Sequence, residues 1–224
     1  MENLIYILFV SVFIPIFLMA LLIEPKARLP IAFVLTGIFT SVFAAEVNGL
    51  LMNQFNMDTY EFTIVATPIT EEILKALPIL IYAIIISDKT ETLFTASMAV
   101  GIGFAVLENA YYLLNEDTFN MMDAVIRAFG AGLMHGMCTL LVGTGISFAR
   151  KRSKIFVVGT FALLSTAITY HGIYNMLVQS QYEIVGFILP IVTYIPFFIW
   201  RLQVKKRKEK LKENNKGDVN HEKS

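Results

Sequence analysis

Apolar and polar positions along this chain alternate in blocks rather than residue by residue. Apolar runs of about 20 residues, separated by short polar clusters, match a ~30 Å hydrocarbon core crossed at ~1.5 Å per helical residue. The runs are too long for membrane strands and lack their period-2 alternation. The pattern predicts seven transmembrane helices, over residues 3–23, 30–52, 62–86, 93–114, 124–148, 155–178 and 183–201. Their connections are too short to hold a soluble domain. The first span is expected to be a retained helix rather than a cleaved signal peptide, because Glu2 stands where a basic region would precede it and no A-x-A-like site follows. The expected fold class is therefore all-α, a polytopic membrane protein. A membrane domain covers 1–203, and 204–224 is expected to be a basic, disordered cytoplasmic tail.

Composition agrees, and charge adds a direction. The chain is 56% hydrophobic and 16% charged, against about 25% charged in soluble domains. Of its 18 Lys and Arg residues, all but Lys75 and Arg127 fall in the first, third and fifth connections or after the last span. The second, fourth and sixth connections hold Asp58, Glu116, Asp117 and Asp123 instead. By the positive-inside rule the N-terminus is expected outside and the C-terminus inside, as seven spans require. The single cysteine, Cys138, lies in an apolar run and reads as a small buried residue rather than a nucleophile. Nothing in the chain points to nucleic acid as a partner.

Chemistry enters with the polar residues inside the spans. An Asp, Lys or Arg at mid-helix costs about 2.5–3.5 kcal/mol even on the lenient insertion scale, so an intramembrane ionisable group is read first as a functional one. The spans contain Glu46, Glu71, Glu72, Lys75, Glu108, His135 and His171. At helical rise, Glu71 lies about 15 Å, Glu108 about 10 Å, His135 about 18 Å and His171 about 12 Å from the outer ends of four successive spans. That common depth points to one site shared between helices. Glu71 and Lys75 are spaced i,i+4 to pair on one face, with Glu72 turned about 100° away. His135 with Thr139, and His171 with Asn175, share that spacing, so each histidine has a polar neighbour placed to fix its tautomer or share a ligand. Gly132, Gly136 and Gly172 leave room for close approach, and Pro68 and Pro78 flank the glutamates. Glu46, with Asn48, either joins the site or snorkels outward. Arg127 reads as interfacial, and Tyr111, Tyr112 and Trp200 as aromatic belt.

These residue types suit hydrolysis. A buried carboxylate can serve as general base on water, and histidines opposite can stabilise an oxyanion, protonate the leaving amine or hold a metal.

The spacing then acquires a likeness. Glu71-Glu72-Ile73-Leu74-Lys75 reads as EExxK, and Phe104-Ala105-Val106-Leu107-Glu108-Asn109 as FxxxEN. Met134-His135-Gly136 with Thr139 forms a third motif, and His171-Gly172-Ile173-Tyr174-Asn175 reads as HxxxN. In these motifs, in this order, the chain resembles the PrsW family of intramembrane proteases, distant relatives of the CAAX-protease and bacteriocin-processing superfamily. The resemblance implies a glutamate-dependent endopeptidase of the bacterial plasma membrane. Its implied substrate is a single-span membrane protein, an anti-sigma factor cut on its extracytoplasmic side in the first step of stress signalling. Carried over by motif, the site is Glu71, Glu72, Glu108, His135, His171 and Asn175. Glu72 or Glu71 would activate water, His171 with Asn175 would polarise the scissile carbonyl, and His135 and Glu108 would complete a proton relay or metal shell. The wider superfamily's EExxxR and FxxxH stand here as EExxK and FxxxEN, which leaves the second motif's match to a ligand histidine open. No HExxH occurs, so a divalent metal such as zinc stays an open cofactor. The other classes compatible with these residues are a proton-coupled transporter and a non-catalytic membrane scaffold.

Overall fold

The computed structural model of the chain describes residues 4–115, 121–148 and 153–221. Within them lie seven helices and no strand: α1 (Leu4–Leu22), α2 (Pro25–Phe55), α3 (Thr59–Ile85), α4 (Thr90–Asn115), α5 (Met121–Ile146), α6 (Ser153–Val178) and α7 (Glu183–His221). Each expected span finds its helix. Of the acidic and basic connection residues used above, Glu116, Asp117, Arg150, Lys151 and Arg152 lie outside the described residues, as does Glu2.

Local chemistry sets the boundaries. Pro25 opens α2, where its missing N–H costs nothing, and Asn56 closes that helix in the left-handed conformation, φ 48°. Asp58 then caps α3, its carboxylate accepting from the Tyr60 N–H at 3.1 Å. α7 continues as helix to His221, through most of the tail expected to be disordered. Lys, Arg and Glu carry high helix propensity, so a basic segment that extends an existing helix need not nucleate one. From Ile191 onward this helix is a unit of its own, in which Tyr194 stacks on Phe198 with ring centroids 6.1 Å apart.

Six of the helices are long and apolar enough to cross a membrane, and α3 falls outside that set. The reason is chemical, since α3 buries Glu71, Glu72 and Lys75 at its middle. The distribution of side chains is that of a protein dissolved in lipid. Leu22, Ile85 and Phe161 are 88%, 72% and 72% exposed, whereas Glu72, Lys75 and His135 are 0%, 0% and 1% exposed. Such an arrangement is stable where the surroundings are hydrocarbon and the buried polar groups satisfy one another.

In the unit preceding Ile191, α4 packs against α2 and α5, while α6 packs against α5 and α3. Two glycines let the site-bearing helices meet. A Cβ on Gly101 of α4 would lie 2.4 Å from the backbone oxygen of His135 on α5. A Cβ on Gly172 of α6 would lie 2.8 Å from the backbone oxygen of Ile64 on α3. That Ile64 carbonyl sits one turn before Pro68, which has no N–H to offer it. Glycine on one helix and proline on the other thus meet beside His171.

Candidate active site

α3 contributes three charged side chains to the interior. The Lys75 ammonium donates to Glu72 Oε1 at 2.6 Å and reaches His135 Nδ1 at 2.8 Å. It also lies 4.5 Å from the centre of the Phe104 ring, a cation–π contact supplied by the FxxxEN motif. The i,i+4 pairing expected between Lys75 and Glu71 therefore gives way to an i,i+3 pairing with Glu72. His135 and Phe104 draw the ammonium to that side.

The donors and acceptors fix two tautomers. An ammonium only donates, so His135 Nδ1 accepts from Lys75 and its Nε2–H donates to Glu108 Oε2 at 2.6 Å. The Glu72 carboxylate, paired to Lys75, only accepts, so His171 Nδ1–H donates to its Oε1 at 2.9 Å. His171 Nε2 lies 3.8 Å from Glu71 Oε2. The two imidazoles stand edge to face, ring centroids 4.9 Å apart. Glu71, Glu72, Glu108, His135 and His171, from four helices, therefore meet in one cluster as their common depth implied.

The expected neighbours of the histidines take other work. Thr139 Oγ1 donates to the His135 backbone carbonyl at 2.8 Å, within its own helix. Asn175 Nδ2 donates to the Thr63 carbonyl of α3 at 2.9 Å instead of meeting the His171 ring. Glu72, not Asn175, sets the His171 tautomer, and Asn175 ties α6 to α3 beside the site. Glu46 accepts from Tyr6 Oη of α1 and is exposed, outside the cluster. Cys138 is buried and donates to the Ala167 carbonyl at 3.5 Å, a packing role.

Two cavities reach the cluster. One of about 460 Å³ lies among α3, α4, α5 and α6 and is lined by Glu108, His135, Asn175 and Arg127. The other, about 220 Å³, lies among α1 to α4 and is lined by Glu71, Glu108, Asn48 and Tyr112. Arg127 and Tyr112, read from sequence as interfacial and aromatic-belt residues, line these cavities. The guanidinium sits 4.1 Å from the Tyr112 ring centre. A basic residue and a tyrosine near helix ends fit both roles, and only the close packing of α4 on α5 separates them.

Two observations show that a divalent metal fits this site. Glu71 Oε2 and Glu72 Oε2 are buried without hydrogen-bond partners. The cluster also holds three carboxylates against one ammonium, an acid excess that a cation would offset. Glu71, His135 and His171 each offer a ligand atom, all within 4.8 Å of one another, a two-histidine, one-carboxylate set of the kind found in catalytic zinc sites. His171 is the readiest of them, with Nδ1–H on a carboxylate and Nε2 free. His135 would have to release Lys75 or Glu108.

A family model described as "PrsW family intramembrane metalloprotease" matches residues 24–201. No curated protein and no solved structure matches the chain.

Proposed function

The chain belongs to the PrsW family of intramembrane metalloproteases, and from that premise we propose that its buried Glu–His cluster hydrolyses a peptide bond of a membrane-anchored protein by glutamate-dependent catalysis. The observation that carries the proposal is the convergence of Glu71, Glu72, Glu108, His135 and His171 beside two cavities.

Roles follow from which atoms are free. Glu71 lines a cavity and its Oε2 has no hydrogen-bond partner among the described residues, so it takes the proton of the attacking water. Glu72 has its Oε1 committed to Lys75 and His171, so it orients His171 and stabilises the imidazolium when that ring is charged. The water oxygen bonds to the scissile carbonyl carbon as Glu71 accepts its proton. Passed to His171 Nε2, that proton goes to the leaving nitrogen as the C–N bond breaks. His135, held between Lys75 and Glu108, places a second imidazole edge-to-face on His171. Were a divalent metal held by Glu71, His135 and His171, it would supply Lewis acidity and lower the pKa of a bound water, in place of the base and proton-carrier roles that Glu71 and His171 fill without it.

The substrate proposed is a single-span anti-sigma factor of the bacterial plasma membrane, cut first on its extracytoplasmic side. The charge asymmetry of the connections supports that side, since the site lies toward the helix ends whose connections lack Lys and Arg. A proton-coupled transporter would place discontinuous helices at its midplane, and α3 to α6 are each one unbroken helix. Reporter fusions at residue 119 and after residue 203, made in cells co-expressing candidate single-span anti-sigma factors, test the proposal. The expected result is an extracytoplasmic signal at 119, a cytoplasmic one after 203, and a shortened anti-sigma factor. A cytoplasmic signal at 119 would overturn the orientation. Intact substrates in every case would overturn the signalling role.

A further inference from the structure

The two cavities share Thr63, Thr67, Glu108 and Tyr112 in their walls, so both flank the catalytic cluster at Glu108. A lining residue of each also has a buried polar atom without a hydrogen-bond partner among the described residues, Asn48 Oδ1 for the smaller and Arg127 Nε for the larger. Unsatisfied buried groups are rare, because each costs about 1–3 kcal/mol. The side chains that carry them, Asn48 on one side of the cluster and Arg127 on the other, line cavities in which an extended polypeptide, with its free N–H and C=O groups, would lie.

The two halves differ in chemistry. The smaller is bounded on α2 by Ser41, Ala45 and Gly49, one turn apart, and the space where a Gly49 side chain would stand is open. Glu71, itself 4% exposed, also lines this half. The larger half holds Arg127, its guanidinium plane held against Tyr112 at 4.1 Å. Two carboxylates share that half. Glu108 is engaged by His135 at 2.6 Å, and Glu183 lies exposed at its edge. A guanidinium held by one face on an aromatic ring keeps its edge of N–H donors for a planar carboxylate.

We propose that the cavities are two halves of one substrate cleft, which takes an extended segment whose side chains occupy the room left by Ser41, Ala45 and Gly49 on the α2 side of the scissile bond, and an Asp or Glu carboxylate on the Arg127 side. Arg127 is then a specificity-determining residue that touches substrate without taking part in bond cleavage. The proposal rests on the proteolytic reading above for its substrate, but its test does not depend on turnover.

Binding is measured on the full-length Glu71→Gln protein in lipid nanodiscs. The probes are fluorescent single-span peptides in which Glu is exchanged for Gln at successive juxtamembrane positions. At one position, Glu is expected to bind about tenfold or more tighter than Gln, the range of a charge-assisted hydrogen bond. Adding Arg127→Gln should remove that difference. Arg127→Glu should reverse it toward a Lys peptide, and this gain of binding distinguishes specificity from misfolding. Ala45→Phe should weaken peptides with large residues on the other side of the bond more than those with Ala or Gly. Equal binding of Glu and Gln peptides at every position would overturn the proposal, as would a Glu preference that survives Arg127→Gln. A wild-type protein that binds with this preference yet cuts none of the peptides would overturn the proteolytic reading and leave the cleft standing.

Discussion

Glu72→Gln is expected to stop cleavage and to lower the stability of the protein by about 3–5 kcal/mol, the cost of breaking a buried ion pair from one side. Glu72 and Lys75 are both fully buried and joined at 2.6 Å. Glutamine keeps the shape but leaves the ammonium without its counter-charge, still pressed against His135 Nδ1 at 2.8 Å. The loss also reaches catalysis, because the same Glu72 oxygen holds His171 Nδ1–H at 2.9 Å. Thermal unfolding in detergent micelles, with a cleavage assay on the same preparations, measures both. Lys75→Met added to Glu72→Gln should recover part of the stability, since it removes the stranded charge, and none of the cleavage. Unchanged unfolding in Glu72→Gln would contradict the ion pair as the element that organises α3 against α5.

His171→Asn separates chemistry from packing. The asparagine amide can stand where Nδ1–H stands and still donate to Glu72, whereas nothing replaces Nε2, the atom 3.8 Å from Glu71. Cleavage should fall by about 10²–10⁴, the usual contribution of a general acid or base. The unfolding temperature should fall far less than in Glu72→Gln. Single-turnover rates at saturating protein, read beside the unfolding curves, check this. Wild-type rates in His171→Asn would mean that Nε2 carries no proton in the reaction.

Much of this was legible in the chain. Seven apolar runs gave seven helices, because span length is set by the thickness of the hydrocarbon. Polar residues at one depth on neighbouring spans gave one cluster, because each would otherwise be buried alone. What escaped was decided by neighbours distant in sequence. Helical spacing allows Lys75 to reach either Glu71 or Glu72, and only His135 and Phe104 from other helices select Glu72. Asn175 is one turn from His171, yet the close approach at Gly172 and Pro68 brings α3 near enough to offer it the Thr63 carbonyl. Arg127 and Tyr112 follow the rules for membrane-interface residues, and their place in the cavity walls depends on how α4 and α5 pack. The run of α7 into the basic segment depends on an existing helix being extended, which composition does not report.

Glu71 is the residue on which the hydrolytic reading turns, because among the described residues it alone combines burial, an unpartnered oxygen and a place in a cavity wall beside His171. The most direct measurement is mass spectrometry of a purified single-span substrate incubated in liposomes with wild-type or Glu71→Gln protein. Wild type should yield one cut near the extracytoplasmic end of the substrate helix, and Glu71→Gln none above background while unfolding at the wild-type temperature. The same cut made at the wild-type rate by Glu71→Gln would contradict a glutamate base at this site.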